Sequence, residues 1–209
     1  MIGQGSLVFS RVGARTVPTT IRAESPLRLL TPQNDGVASW AYASSFGGGL
    51  VDGDSVAMDI VVDDGASALF ATQSSTKVYR GTSRMTLDAR VGEQALLAVV
   101  PDPIVCFEGA SYAQRISIVL AATSSLVLVD ALTAGRSARG ERWAFARYES
   151  VLSVERVDRV DTSGTRTAVL LDPVRLDARE SGLARRFGRF DAIATIVLLG
   201  PAIEDAARA

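Results

Sequence analysis

Apolar and polar residues alternate along most of this chain. In Ser55 to Val62 the residues Val56, Met58, Ile60 and Val62 share one face, and in Arg84 to Val91 Met85, Leu87, Ala89 and Val91 alternate with Arg84, Thr86, Asp88 and Arg90. A period of two with one apolar side predicts half-buried strands. Similar runs cover Leu7 to Val12, Trp40 to Ser44, Ala66 to Thr72, Ala95 to Val100, Tyr112 to Leu120, Ser125 to Leu132, Trp143 to Glu155, Ala168 to Leu176 and Ala192 to Leu199. Turn signals at Asp64-Gly65, Val91-Gly92, Glu108-Gly109 and Ser163-Gly164 separate them. Strands without helical patterns between them predict an all-β fold, mainly antiparallel or irregular, either a sandwich or a solenoid-like stack. No repeat of fixed period is visible in residue identities, so sequence alone does not support a regular solenoid.

Helical patterns are confined to the end of the chain. Arg179 to Arg189 reads as a short basic helix weakened by Gly182 and Gly188, and Ile203 to Ala209 as the first turns of another. Residues 1–209 form one expected domain, with 177–209 an incomplete C-terminal appendage.

Composition narrows the chemistry. A chain of 209 residues, 47% of them hydrophobic, is long enough to bury a core, and a net charge of -1 gives no general attraction to nucleic acid or anionic membrane. Histidine is absent, which removes imidazole ligands and the histidine-dependent nucleophilic triads. Cys106 is the only cysteine, so neither an intrachain disulfide nor a paired-cysteine zinc site can form. Any bound metal must use carboxylates, carbonyls, water or one thiolate, a donor set that holds nickel weakly. The first residues lack a basic region followed by a long apolar segment, and the expected location is cytoplasmic.

Four segments carry most of the unusual chemistry: Gly47 to Asp54 (GGGLVDGD), Thr72 to Arg80 (TQSSTKVYR), Pro101 to Arg115 (PDPIVCFEGASYAQR) and Leu132 to Phe145 (LTAGRSARGERWAF). The glycine run is followed by an alternating strand and by no lysine-serine or lysine-threonine pair, which makes a phosphate loop a poor reading. It permits instead positive φ or close backbone approach. In the second segment hydroxyls and Gln73 surround Lys77, the only lysine among 22 basic residues. That choice points to a space where an arginine fork does not fit, with an exposed surface strand as the plain alternative. Prolines on both sides of Asp102 hold it in an extended segment, and Cys106 reads first as a buried hydrophobe. In the last segment Arg136, Arg139 and Arg142 flank Glu141, which they can keep ionised, and Trp143 follows. Arginine and tryptophan are frequent at interface hot spots.

In wording and order these four segments resemble the UreD/UreH family of urease accessory proteins, from about Gly3 to about Leu176. The resemblance implies a chaperone subunit, not an enzyme, that serves nickel insertion into apo-urease in complex with a helical scaffold, UreF, and a GTP-hydrolysing metallochaperone, UreG. No tightly bound cofactor is implied, only Ni2+ in transit through a water-filled passage. Asp54, Asp102 and Glu141, with Cys106 as a soft donor, are the candidate nickel contacts. Thr72, Gln73, Lys77, Arg136, Arg139, Arg142 and Trp143 are candidates for cavity lining or partner binding, with neither nucleic acid nor membrane expected as a partner. Family members usually run on for several tens of residues, so this chain is expected to be short at its C-terminus.

Two other functions fit the composition. A β-rich hydrolase of the glycosidase type needs only two carboxylates, for which Asp102 and Glu141 are the candidates. A carbohydrate-binding sandwich is the other, disfavoured by the expected absence of a secretion signal.

Overall fold

In a computed structural model, residues 1–157, 166–178 and 182–208 are described. Among them run β1 (Ile2–Val12), β2 (Arg15–Ala23), β3 (Leu27–Leu30), β4 (Ser39–Ser45), β5 (Ser55–Val62), β6 (Ser67–Thr72), β7 (Thr76–Val78), β8 (Gly81–Val91), β9 (Leu96–Val99), β10 (Ile104–Cys106), β11 (Ala110–Ala121), β12 (Ser125–Thr133), β13 (Arg147–Val157), β14 (Thr167–Asp177) and β15 (Ala192–Leu199). Two short helices, α1 (Leu183–Phe187) and α2 (Pro201–Arg208), lie near the C-terminus. The all-β class with short C-terminal helices is therefore the observed one. Of the predicted basic helix, Arg179 to Ser181 lie outside the described residues.

The strands form two facing sheets. The first has the order β14-β13-β11-β8-β5-β1-β2; the second has the order β3-β4-β6-β9-β12-β10-β7, with β15 added beside β12. Pairing departs from the antiparallel expectation. β1, β5, β8, β11 and β13 run parallel, as do β4, β6, β9 and β12, and antiparallel partners come from β2, β3, β14 and β15. The reason lies in the turns: Asp64-Gly65 carries the chain from β5 in one sheet to β6 in the other, so it makes a corner and not a hairpin. From β4 to β13 the chain thus crosses repeatedly between the sheets, and each return adds a strand parallel to the last, while β1–β2, β3–β4 and β13–β14 are antiparallel pairs within one sheet.

The result is a flattened coil with a regular step. Ser55 pairs with Arg84 and Arg84 with Ala113, while Ser39 pairs with Ala68, Ser67 with Leu96 and Leu96 with Ser125, each a step of 29 residues. A period absent from residue identities is present in the register. Only the inward or outward sense of each position must recur, and many apolar residues satisfy an inward one. From Ala113 to Glu149 the step lengthens, because the loop between β12 and β13 is inserted there.

The inward faces make the core. Leu7, Phe9, Ile60, Leu87, Leu97, Ile116 and Leu126 are fully buried between the sheets, each side chain worth about 1.5–3 kcal/mol of transfer free energy.

Candidate functional site

The coil brings the four distinctive segments to one end of the molecule. Leu50 N–H donates to Lys77 O at 2.8 Å and Tyr79 N–H to Leu50 O at 2.9 Å, joining the first segment to the second. Gly49 explains the close approach: a Cβ there would stand 2.5 Å from Lys77 O. Phe107 N–H donates to Val78 O at 2.9 Å, and Asp102 N–H to Thr72 Oγ1 at 2.8 Å, which ties the second segment to the third. Glu108 N–H donates to Glu141 Oε2 at 3.2 Å, which brings in the fourth.

Within this end lies a cavity of about 160 Å3. It reaches from exposed Gly48, Ser74 and Asp102 to buried Gln114 and Asp130. Successive turns of the coil supply its wall, in which apolar side chains such as Val56, Met58, Phe70, Leu87 and Ile116 outnumber the polar groups. Ala43 pairs with Thr72, and two further steps of 29 residues arrive at Pro101 and at Asp130. Here the strands of the second sheet are interrupted, between Thr72 and Thr76 and between Val99 and Ile104.

Its inner end is a buried polar cluster. Gln114 stands opposite Ser150, and Tyr112 opposite Tyr148, on neighbouring β11 and β13. Gln114 Nε2 donates to Asp130 Oδ1 at 2.8 Å, to Ser150 Oγ at 2.9 Å and to Tyr148 OH at 3.2 Å. Ser150 Oγ donates in turn to Asp130 Oδ2 at 3.1 Å. Burial pushes the Asp130 carboxyl above its ordinary value, against the opposing effect of those donors. Asp130 also lines a second cavity, of about 50 Å3, with Tyr148, Val174 and Thr195. The one carboxylate thus stands between two spaces.

The expected site residues are distributed unevenly around this cavity. Thr72 and Asp102 line it, and Asp102 is exposed. Gln73 is exposed and faces a separate shallow cleft with Tyr42 and Leu30. Lys77 is exposed. Asp54, Glu141 and Cys106 are not among the lining residues. Asp54 is buried: burial alone would raise its carboxyl, but the Val51 N–H at 2.9 Å and the Met1 ammonium at 2.9 Å hold it below the ordinary range. Glu141 pairs with Arg136 through Nε at 2.8 Å and through a second contact, and Arg136 lies over the Phe107 ring at 4.1 Å. Burial pushes the Cys106 thiol up to about 12, so it stays protonated near neutral pH.

Arg142 and Trp143 hold the C-terminal segment. The Arg142 guanidinium meets Asp191 and donates to Gly188 O at 2.6 Å and Phe190 O at 3.0 Å, while Trp143 Nε1 donates to Phe190 O at 3.2 Å. Trp143 is 3% exposed and stacks on Phe187. Arg139 remains exposed. Among the described residues no group of three or more Cys, Asp or Glu side chains is placed to hold a metal ion, and no helix is long and apolar enough to cross a membrane.

Gln114 and Asp130 are the residues that sequence reading passes over. Their signal was available: each is a polar side chain at an inward position of an alternating strand, between Tyr112 and Ile116 or between Leu128 and Leu132.

Fold and site together define a coiled, two-sheet β protein built around a mainly apolar cavity that carries hydroxyls toward its mouth and ends on a buried carboxylate. The family of UreD urease accessory proteins matches residues 1–209, and the chain belongs to it. It is 53% identical over 209 residues, 99% of its length, to a urease accessory protein UreD of Sorangium cellulosum, and 41% identical, again over 99% of its length, to one of Anaeromyxobacter. It is 38% identical over 96% of its length to urease accessory protein D of Arabidopsis thaliana. The chain spans 64%, 68% and 69% of these relatives' own lengths.

Proposed function

We propose that this chain is a chaperone subunit of urease maturation that passes Ni2+ toward apo-urease through its internal cavity. The observation that carries the reading is the polar part of the cavity wall: within a mainly apolar lining, Thr72, Ser74, Ser75, Asp102 and Asp130 supply oxygen donors from successive turns of the coil. Hydroxyls and single carboxylates suit hard ions and hold nickel weakly. A conduit needs such sites, each favourable enough to enter and weak enough to leave. The chain acts in the cytoplasm beside a UreF-like helical protein and a UreG-like GTPase. It turns over no substrate of its own and keeps no tightly bound cofactor, and Ni2+ is its cargo.

The hydrolase reading is the weaker one. A glycosidase needs a carboxyl kept protonated near neutral pH, whereas Arg136 holds Glu141 below its ordinary range. Glu141 also lies outside the cavity that Asp102 borders.

The test replaces Thr72 by Val and Asp102 by Asn, together, in cells that make urease, and measures the nickel content and specific activity of the urease. Both should fall while the amount of accessory complex is unchanged. Fully loaded urease would remove the cavity from the nickel route.

A further inference from the structure

Along β8 the inward residues Leu87, Ala89 and Val91 are sealed in the core, at 1%, 3% and 0% exposure. Met85, the next inward position, is only half-buried, although β5 and β11 flank its strand in the middle of the first sheet. The surface it leaves uncovered faces the larger cavity, which it lines together with Met58 from β5 and Phe70 from the opposite sheet. The core is therefore unfilled at this one place.

Such a space holds water poorly. A buried water needs about two to four polar partners, and away from the hydroxyls of the mouth and the carboxylate of the inner end the wall offers carbon and thioether sulfur. Replacing weakly held water there by apolar matter is favourable. The volume, about 160 Å3, is of the order at which an apolar cavity takes up one benzene-sized molecule. Methionine suits the task, because its unbranched, polarisable side chain adapts to the shape of what it meets and packs well on aromatic rings.

The inner end selects a head group. Among the described residues, Asp130 Oδ1 accepts from Gln114 Nε2, and Gln114 Oε1 accepts from the Tyr112 hydroxyl at 3.4 Å. Each of these oxygens has two lone pairs, so each retains an acceptor position, and both residues line the cavity. The Gln114 amide hydrogens are already engaged by Asp130, Ser150 and Tyr148. The floor of the cavity thus asks for a donor. An ammonium would have to shed its water along an apolar wall, at a cost far above that of a hydroxyl.

We propose that this cavity binds a compact apolar alcohol of about eight non-hydrogen atoms, its hydroxyl donating to the floor made by Asp130 and Gln114 and its body lying against Met58, Met85 and Phe70. An apolar concavity with a few convergent polar groups is the usual anatomy of a small-molecule site. Such binding does not depend on the passage of nickel, although the molecule would stand in the space through which the ion is proposed to move.

The chain carries its own reporters. Of its three methionines, Met58 and Met85 line the cavity, and Met1 is 67% exposed. The full chain, isotope-labelled at the methionine methyl groups, is titrated with benzyl alcohol and followed by NMR. The Met58 and Met85 signals should shift along one saturable curve with a Kd of about 1 mM or below, while the Met1 signal stays in place. Toluene, which keeps the body and lacks the hydroxyl, should bind about tenfold more weakly or worse. Met85→Trp and Ala43→Phe each narrow the cavity and should weaken benzyl alcohol binding by about tenfold or more. Met58 and Met85 signals that stay put, or that move without saturating, overturn the site, as does parent-like binding by either folded variant. Toluene binding as tightly as benzyl alcohol, or benzylamine binding more tightly, overturns the assigned head group. The methionine titration needs no substitution and decides even where neither variant folds.

Discussion

Gln114 donates its amide to Asp130 at 2.8 Å across the gap between the sheets, with both side chains buried. Burial raises the Asp130 carboxyl above its ordinary 3.8, and Asp172 adds to the rise. A carboxyl raised in the folded state costs nothing below its unfolded value, and stability falls as pH rises from there through the folded value. Asp130→Asn keeps the acceptor for Gln114 and removes the charge. In urea unfolding at about pH 5 and about pH 8 the parent should lose stability toward the higher pH relative to this variant. Asp130→Ala should instead cost about 1–3 kcal/mol, because the Gln114 amide loses one of its three acceptors and the buried Ser150 hydroxyl loses the carboxylate it donates to. A parent and an Asp130→Asn variant with parallel pH profiles would show that the carboxyl is not raised.

Trp143 ties the segment before β15 to the body of the coil. Its ring lies 4.1 Å from that of Phe187, with the planes 19° apart. Trp143→Ala should cost about 3–5 kcal/mol and should speed tryptic cleavage at Arg185, Arg186 and Arg189. Cleavage at the parent rate would mean that the segment is held by other contacts.

Cys106 should be silent toward thiol reagents. With the thiol pushed up to about 12 and 1% exposed, it should label only as fast as the chain unfolds, and completely in denaturant. Urease nickel content should be the same with Cys106→Ala as with the parent. A folded Cys106→Ala chain that leaves urease short of nickel would restore the thiol to the ion route.

Gly49 is required for packing and not for an unusual backbone. An added Cβ meets Lys77 O at 2.5 Å and Tyr79 Cε2 at 2.8 Å. Gly49→Ala should cost about 1–3 kcal/mol by forcing the first and second segments apart. Thermal unfolding measures it, and an unchanged midpoint would mean that the contact is slack.

Glu141 is held below its ordinary 4.5 by the Arg136 guanidinium. A lowered carboxyl contributes stability that is present above its unfolded value and lost as pH falls through its folded value. Glu141→Gln should therefore be less stable than the parent near neutral pH, with the gap closing in acid. Nickel loading should survive wherever the variant is folded. Loss of loading in a folded variant would place Glu141 on the ion route after all.

The amino-acid sequence by itself determined the strands, the all-β class, the C-terminal position of the short helices and the chemistry closed to a chain without histidine. Local alternation is enough for this, because inward and outward senses are set residue by residue. The segments GGGLVDGD and TQSSTKVYR marked the right end of the molecule and, with the other two, the right family. Parallel pairing was hidden, since Asp64-Gly65 reads the same whether it closes a hairpin or turns a corner between sheets. The 29-residue step was hidden for a related reason: register demands inward apolar positions, and Val56, Met85 and Gln114 meet one another on the inner face without any likeness of identity. Only the tertiary structure decided which charges are free. It set Glu141 on Arg136, Asp54 on the Met1 ammonium and Arg142 on Asp191, and carried Asp130 between two cavities, because ion pairs and buried acids depend on neighbours brought from distant turns of the coil.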